Sequence, residues 1–325
     1  EHIDTRHYRS FYQIYAFLLM ELLEKTDFIK TLSKEHGFLL AGIAQVRKLE
    51  EEENRLDDWL SKGYHGDMQY MANHKEMRLD PGKLVSGAKS VISLAYNYYS
   101  AHPWQKGKPN ISIYALGHDY HRVLKKKLKE LWKEIQSKLA PSSKGRYFVD
   151  SAPVMERQWA MLAGLGWTGK NTLLINPKHG SYFFLAEIIC DIELKPDTPM
   201  HDYCGTCTRC IDACPTQAID ANGYVLKADQ CISYLTIETK KSIPDEFSSS
   251  LNDYVFGCDI CQDICPWNRF SKPHNDPAFD PQSDFLSWTK QDWDRLDQET
   301  FDKTFGHSPV KRAGYAKIKD TISKI

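Results

Sequence analysis

From Tyr120 to Leu139 apolar residues recur at Leu124, Leu128, Leu131, Ile135 and Leu139, the spacing of one buried stripe, which predicts an amphipathic helix. Its other face carries Arg122, Lys125, Lys126, Lys127, Lys129, Lys133 and Lys138, which reads as a solvated basic surface. Residues 24–60 also show helical periodicity. By contrast Ser90–Tyr96, Ile111–Tyr114, Tyr147–Asp150 and Ser181–Ile189 are short runs rich in β-branched and aromatic residues, the mark of strands. Gly63, Gly66 and Pro81-Gly82 punctuate a loop-rich stretch, and Pro153 suits the first turn of a helix. This alternation predicts an α/β domain to about residue 195, with Pro196 and Pro199 marking a linker. The expected division is an N-terminal extension over 1–19, with Met20 as a candidate start, an α/β domain over 20–198, a cysteine-rich domain over 199–271 and a C-terminal helical segment over 272–325.

Composition adds little to this picture. Forty-two Lys and Arg face forty-three Asp and Glu, so a nucleic-acid partner would have to be held by a local patch. No apolar run approaches the length of a membrane helix, and the first residues lack the pattern of a signal peptide, so no membrane partner and a cytoplasmic location are expected.

The cysteines change the picture most. Eight of nine lie between Cys204 and Cys265, in a chain too long for a disulfide-stapled miniature. Cys204-x2-Cys207-x2-Cys210-x3-Cys214-Pro215 is a ferredoxin spacing, in which three thiolates hold one cube and the fourth reaches another. Cys258-x2-Cys261-x3-Cys265-Pro266 has the closing half of that pattern, and Cys231 can supply its missing thiolate. The crossed arrangement assigns Cys204, Cys207, Cys210 and Cys265 to one 4Fe-4S cluster and Cys214, Cys231, Cys258 and Cys261 to a second. Zinc also accepts four thiolates, but its sites rarely show this spacing. Cys190, at the end of an apolar strand, reads as a small core hydrophobe.

Two glycine motifs lead nowhere. Gly164-Leu165-Gly166-Trp167-Thr168-Gly169 matches a dinucleotide fingerprint, but residues 154–163 before it read as helix, so Gly164 should end that helix. Asn171 stands where a phosphate-binding loop needs Ser or Thr.

Across most of its length the chain resembles the epoxyqueuosine reductases, cobalamin-dependent iron-sulfur enzymes of tRNA modification. The resemblance rests on Gly63-Tyr64-His65-Gly66-Asp67-Met68 with Tyr70-Met71, Arg78-x-Asp80-Pro81, Gly117-x-Asp119-Tyr120-His121, Asp150-Ser151-x-Pro153-x-x-Glu156-Arg157, Gly166-x-x-Gly169-Lys170-Asn171-Thr172 and Cys231–Glu238, together with both cysteine runs. It implies a nitroreductase-like α/β fold that binds base-off cobalamin, followed by an α+β ferredoxin-like domain whose two 4Fe-4S clusters reduce the cobalt. The implied substrate is tRNA carrying epoxyqueuosine, whose epoxide oxygen leaves as water with two electrons and two protons. Asp150 aligns with the proposed proton donor, a role that calls for an apolar or anionic setting to raise its pKa.

Asn73, Asp150, Glu156, Arg157, Lys170, Asn171 and Ser233 sit in or beside the matched motifs and are the candidates for lining the cobalamin pocket. Lys240 and Lys241 are candidates for meeting RNA phosphate. Asp119-Tyr120-His121 begins a cobalt-binding Asp-x-His-x-x-Gly pattern, but Leu124 replaces the glycine, so His121 is expected to be a structural or loop residue. Longer relatives continue into helical repeats, whereas this sequence stops at Ile325. The expected partners are modified tRNA and an electron donor whose identity the sequence does not carry, with the chain acting as a monomer. A reductive dehalogenase-like enzyme and a non-enzymatic ferredoxin-type carrier are the alternatives; the first usually carries an export signal, and the second leaves Asp150 and its neighbours without a role.

Overall fold

The computed structural model describes residues 5–101 and 107–325, with side chains from residue 19 onward. In chain order the helices and strands are α1 (Thr5–Glu35), β1 (Leu40–Gln45), α2 (Glu50–Ser61), α3 (Lys75–Leu79), β2 (Ser90–Asn97), β3 (Asn110–Ile111), α4 (Tyr120–Lys138), β4 (Gly145–Phe148), α5 (Glu156–Leu162), β5 (Trp167–Thr168), β6 (Leu174–Ile175), β7 (Phe183–Cys190), α6 (Arg209–Asp212), α7 (Ile232–Ile237), β8 (Tyr254–Phe256), α8 (Ile260–Asp263), α9 (Lys290–Asp294), α10 (Gln298–Phe305) and α11 (Tyr315–Ile322). The sequence-expected extension over 1–19 falls largely outside the residues with described side chains; residues 1–4 are wholly outside, and α1 runs unbroken through Met20.

Four strands form a sheet in the order β1-β2-β7-β4, every neighbour antiparallel. The two central strands are buried on both faces, so they read as near-continuous apolar runs rather than alternating ones. Ile92, Leu94, Phe184, Ala186, Ile188 and Cys190 face a core shared with α1 and α4, including Ile29, Leu32, Leu124, Leu128 and Leu131. Their sequence neighbours Val91, Ala95, Phe183 and Ile189 face a second core with Leu49, Trp159 and Ala160 from the α2–α5 side. Helix thus covers each face of the sheet. Cys190 is fully buried in the first core, as a small hydrophobe would be.

Two sequence expectations need correction. The periodicity over 24–60 is not one helical region, because β1 interrupts it as an edge strand against β2. There Gly42 lets α5 approach so closely that a Cβ would lie 2.1 Å from the Ala163 carbonyl oxygen. The expected strand over 111–114 is also short: Asn110–Ile111 pairs in parallel with β8, and a 3-10 turn over Ile113–Ala115 follows. The reading of Gly164 holds, since α5 stops at Leu162 and Gly164 takes a φ of +71°, which lets the chain reverse.

After β7 the linker is pinned across β1, where Asp197 accepts from the Ile43 backbone N–H and pairs with Lys30. The cysteine-bearing segment follows. Its short helices α6 and α8, which carry Cys210 and Cys261, pack on one another. The C-terminal helices close a third core of Trp293, Phe301, Phe305, Val310 and Ile318 around Val255 and Phe256 of β8. No described helix is long and apolar enough to cross a membrane.

Candidate active site

β4 ends at Phe148, and two residues later Asp150 adopts a φ of +53°, a left-handed conformation unusual for a residue with a side chain. Three contacts hold it there. Its backbone N–H donates to Glu156 Oε1 at the start of α5. Its carboxylate Oδ2 accepts from the Tyr120 hydroxyl at 2.6 Å and lies 3.3 Å from His121 Nε2. Asp119, the N-cap of α4, accepts from the His121 backbone N–H and meets His121 Nδ1 at 2.7 Å. Tyr120 is itself clamped between rings, stacked at 4.1 Å on His121 and at 4.3 Å on Phe184.

The charges follow from these contacts. Desolvation would raise the Asp150 carboxyl, but hydrogen bonds from His121 and Tyr120 and the imidazolium charge outweigh it and hold the group below its ordinary value. The sequence-based expectation of a raised acid at Asp150 is therefore reversed. Desolvation would lower His121, yet its bonds to Asp119 and Asp150 win and bring it to about 9. The raised acid is Glu156 instead, pushed up to about 8 by desolvation and then by the Asp150 charge. Behind it Glu187, wholly buried in β7, is driven well above its usual range by burial and by Glu156. Its strand partner is the buried Ser93.

A cavity of about 440 Å³ opens on this cluster. Asp119, Tyr120, His121 and Asp150 form one wall; Ile237, Glu238 and the segment from Gly306 to Arg312 contribute the other. Within that second wall Arg312 donates to Glu238 at 2.7 Å. Ile237 ends α7, whose N-cap is Cys231, so the cavity wall and one cysteine are joined by a six-residue helix of about 9 Å at 1.5 Å per residue.

The eight clustered cysteines are half-buried, none is in a disulfide, and their mutual repulsions fall mainly into two neighbourhoods. Cys210 senses Cys204 and Cys265, and Cys265 senses Cys204 and Cys207. Cys231 senses Cys214, Cys258 senses Cys261 and Cys231, and Cys261 senses Cys231, Cys214 and, across the divide, Cys210. Eight thiols gathered from these loops are a donor type suited to soft metal centres such as iron-sulfur cubes.

The remaining sequence candidates are spread around these two features. Glu156 and Arg157 open α5 beside Asp150; Arg157 donates to the Thr172 carbonyl and is otherwise exposed. Lys170 donates to the carbonyls of Gly205 and Cys207, and Asn171 to that of Cys261, so both reach the cysteine loops rather than the Asp150 cavity. Ser233 lies in the first turn of α7, two residues from Cys231. Asn73 is exposed on the loop before α3, and Tyr70 on that loop interacts with Glu238 and Arg312. Lys240 and Lys241 are exposed just beyond α7, Lys241 making a 3.9 Å ion pair with Asp67.

Sequence reasoning did not single out Tyr120, Glu187, Glu238 or Arg312 as site residues. Glu187 left a usable signal, a lone carboxylate inside the apolar run Phe183–Cys190. Tyr120 and Glu238 lie within the family motifs quoted above, but nothing along the chain pairs Tyr120 with Asp150 or Glu238 with Arg312, whose partners lie 30 or more residues away.

Residues 78–151 match the family model described as epoxyqueuosine reductase QueG, and residues 203–268 match that of a 4Fe-4S double cluster binding domain. An epoxyqueuosine reductase of Cellulophaga algicola is 52% identical over 297 residues, covering 91% of this chain and 96% of the relative. The chain belongs to the epoxyqueuosine reductase family. Another member, from Pseudomonas aeruginosa, is 44% identical over 89% of this chain and 81% of its own length. Among solved structures, an epoxyqueuosine reductase with an epoxyqueuosine-modified tRNA-Tyr stem loop superposes with a TM-score of 0.82 at 31% identity, covering 92% of this chain and 80% of that one. A Bacillus subtilis epoxyqueuosine reductase, described with its catalytic aspartate loop swung out of the active site, gives 0.83 at 29% identity, with 92% and 80% covered. Mixed helix and sheet followed by a double 4Fe-4S domain is thus the architecture of this family member.

Proposed function

We propose that this chain reduces epoxyqueuosine in tRNA to queuosine, passing electrons through two 4Fe-4S clusters to cobalamin and protons through Asp150. The carrying observation is that a cavity with a carboxylate on one wall has, on the other, the end of the short helix that Cys231 caps. An acid for the leaving oxygen and a sulfur donor for a redox centre thereby serve one space. The named activity of relatives that match along nearly their whole length supports the same reading.

The proposed ligands are Cys204, Cys207, Cys210 and Cys265 for one cluster and Cys214, Cys231, Cys258 and Cys261 for the other, a division that agrees with the two neighbourhoods of thiols. Base-off cobalamin in a nitroreductase-like domain spanning 20–198 would supply low-valent cobalt as the reductant or nucleophile toward the epoxide. The cavity opens on Asp150, and Arg157 at the start of α5 sets a cation beside that carboxylate, which suits the polar edge of such a cofactor. Asn73, Glu156, Arg157 and Ser233 are proposed to hold it from the Asp150 side and α7, and Lys170 and Asn171 from the cysteine loops. Asp150 would protonate the epoxide oxygen as its carbon–oxygen bond breaks. Lys240 and Lys241, exposed beyond α7, are proposed to meet RNA phosphate. The domains 199–271 and 272–325 would carry the clusters and close the C-terminal wall of the cavity.

The test is anaerobic purification followed by iron and sulfide analysis, titration with cobalamin, and nucleoside mass spectrometry of epoxyqueuosine-containing tRNA after reduction. Queuosine formation that needs both cobalamin and reductant is the expected result. Zinc in place of iron, or product formed equally well without cobalamin, would overturn the corresponding part of the proposal.

A further inference from the structure

Turning an epoxide into an alkene and water breaks two carbon–oxygen bonds and consumes two electrons and two protons. The reductive chain of the proposed function supplies the electrons. One carboxyl group can supply only one proton before it must be recharged. Asp150 is, moreover, paired with a cation in the resting site rather than sheltered as a neutral acid. Its proton must therefore come from a neighbour.

Both neighbours of the Asp150 carboxylate contact the same oxygen, Oδ2: the Tyr120 hydroxyl at 2.6 Å and His121 Nε2 at 3.3 Å. Oδ1 is left for the reacting oxygen. On the far side of the imidazole, Nδ1 is held at 2.7 Å by Asp119, which fixes the ring and favours its doubly protonated form. His121 also lines the cavity, and its side chain keeps 23% exposure, so solvent can reach it.

We propose that His121 holds the proton that Asp150 delivers, with Asp119, His121 and Asp150 forming a relay that recharges the acid between the two protonations of one turnover. The proposal rests on the functional reading above, for which it supplies the proton path. His121 Nε2 gives its proton to Oδ2, the carboxyl then turns about its Cβ–Cγ bond and passes that proton to the epoxide oxygen, and the neutral imidazole regains one from solvent through the cavity. After the second pass the oxygen leaves as water, and the site is back in its charged state. His121 acts only through Asp150 and is therefore a positioning residue. Tyr120 keeps the carboxylate turned toward it.

The charges facing His121 come from every side of the site. Asp119 and Arg122 belong to its own helix, and Asp150 to the turn after β4. Glu156 contributes from α5, and Lys311 and Arg312 from the segment before α11. The two carboxylates in direct contact set the sign, and the imidazolium stays charged through neutrality up to about pH 9.

Two measurements on the cluster-loaded, cobalamin-loaded protein decide this. In the first, turnover of epoxyqueuosine-containing tRNA is followed against pH for the wild type and His121→Gln. The wild-type rate should hold through neutrality and fall as pH passes about 9. The variant should be roughly a hundredfold slower near neutrality, with the deficit narrowing in acid, where Asp150 takes its proton directly. Equal rates and an unchanged alkaline limb in His121→Gln would overturn the relay. In the second, the His121 ring is titrated by NMR of 13C-histidine-labelled protein, its signal assigned by loss in the variant. A midpoint near 9 that drops in Asp150→Asn is expected, whereas a midpoint near the ordinary 6.5 overturns the charged pair. If no member of the series forms queuosine, the functional reading fails, and the ring titration still separates a charged His121–Asp150 pair from a neutral one.

Discussion

Asp150 is a carboxylate whose position is costlier than its chemistry. A non-glycine residue at a φ of +53° is strained by about 1–3 kcal/mol, and the bonds from Glu156, Tyr120 and His121 offset that cost. Asp150→Asn keeps the shape but loses the proton, so turnover should fall by roughly a hundred- to ten-thousandfold while visible cluster absorption is unchanged. An active Asp150→Asn enzyme would remove Asp150 from the chemistry. Glu187 allows a test of stability. Its carboxyl is raised above 4.5 in the folded protein, so the native state keeps a proton that the unfolded chain releases above that pH. It therefore destabilises the fold increasingly as pH climbs from about 4.5 toward its folded value. Glu187→Gln removes that penalty, and its gain in Tm over the wild type should be absent in acid and grow toward neutrality. A gain independent of pH would mean that the group is not titrating between the two states.

At the scale of elements, short helices connect the redox and catalytic parts. α6 and α8, which carry Cys210 and Cys261, the proposed ligands of opposite clusters, pack on each other, so the two centres would be built as one unit. Cys258→Ser should then remove one cluster and spare the other, seen as loss of about half the iron with the remaining cluster still reducible. Loss of all iron together with the fold would show instead that the two centres assemble only jointly. The contact of β1 with α5 is equally specific. At Gly42 a methyl group would meet the Ala163 carbonyl oxygen at 2.1 Å, so Gly42→Ala must push α5 and Asp150's partner Glu156 away from the sheet. The expected loss is about 1–3 kcal/mol in denaturant unfolding, with a fall in activity at temperatures where the protein is still folded.

For the molecule as a whole, the chain is electrically near neutral, with a formal net charge of −1, so tRNA must be drawn by local charge. The exposed pair Lys240 and Lys241 lies just beyond Glu238, which lines the active-site cavity, and Lys311 and Arg312 line that cavity themselves. Affinity for tRNA should fall steeply with salt. Replacing Lys240 and Lys241 together by Ala should lower the slope of log affinity against log salt by roughly one unit per lysine, without altering cluster content. An unchanged slope would take both residues off the RNA path.

What the sequence determined by itself is whatever depends on spacing along the chain. The thiolate runs are local motifs, since three cysteines at two-residue intervals can wrap one cube whatever surrounds them, and the helix over Tyr120–Lys138 follows from its stripe of leucines. The family motifs were legible for the same reason. The tertiary structure decided what depends on distance through space. β1 was hidden because Leu40–Gln45 forms an edge strand in a region of helical periodicity, and only pairing with β2 makes it extended. The proton affinities were hidden too. Nothing in the order Asp119-Tyr120-His121 reveals that this imidazole will meet a carboxylate about thirty residues further on, and that meeting reverses the expected ionisation of Asp150. Electrostatic coupling acts over a few ångströms of folded space, which a linear sequence does not measure.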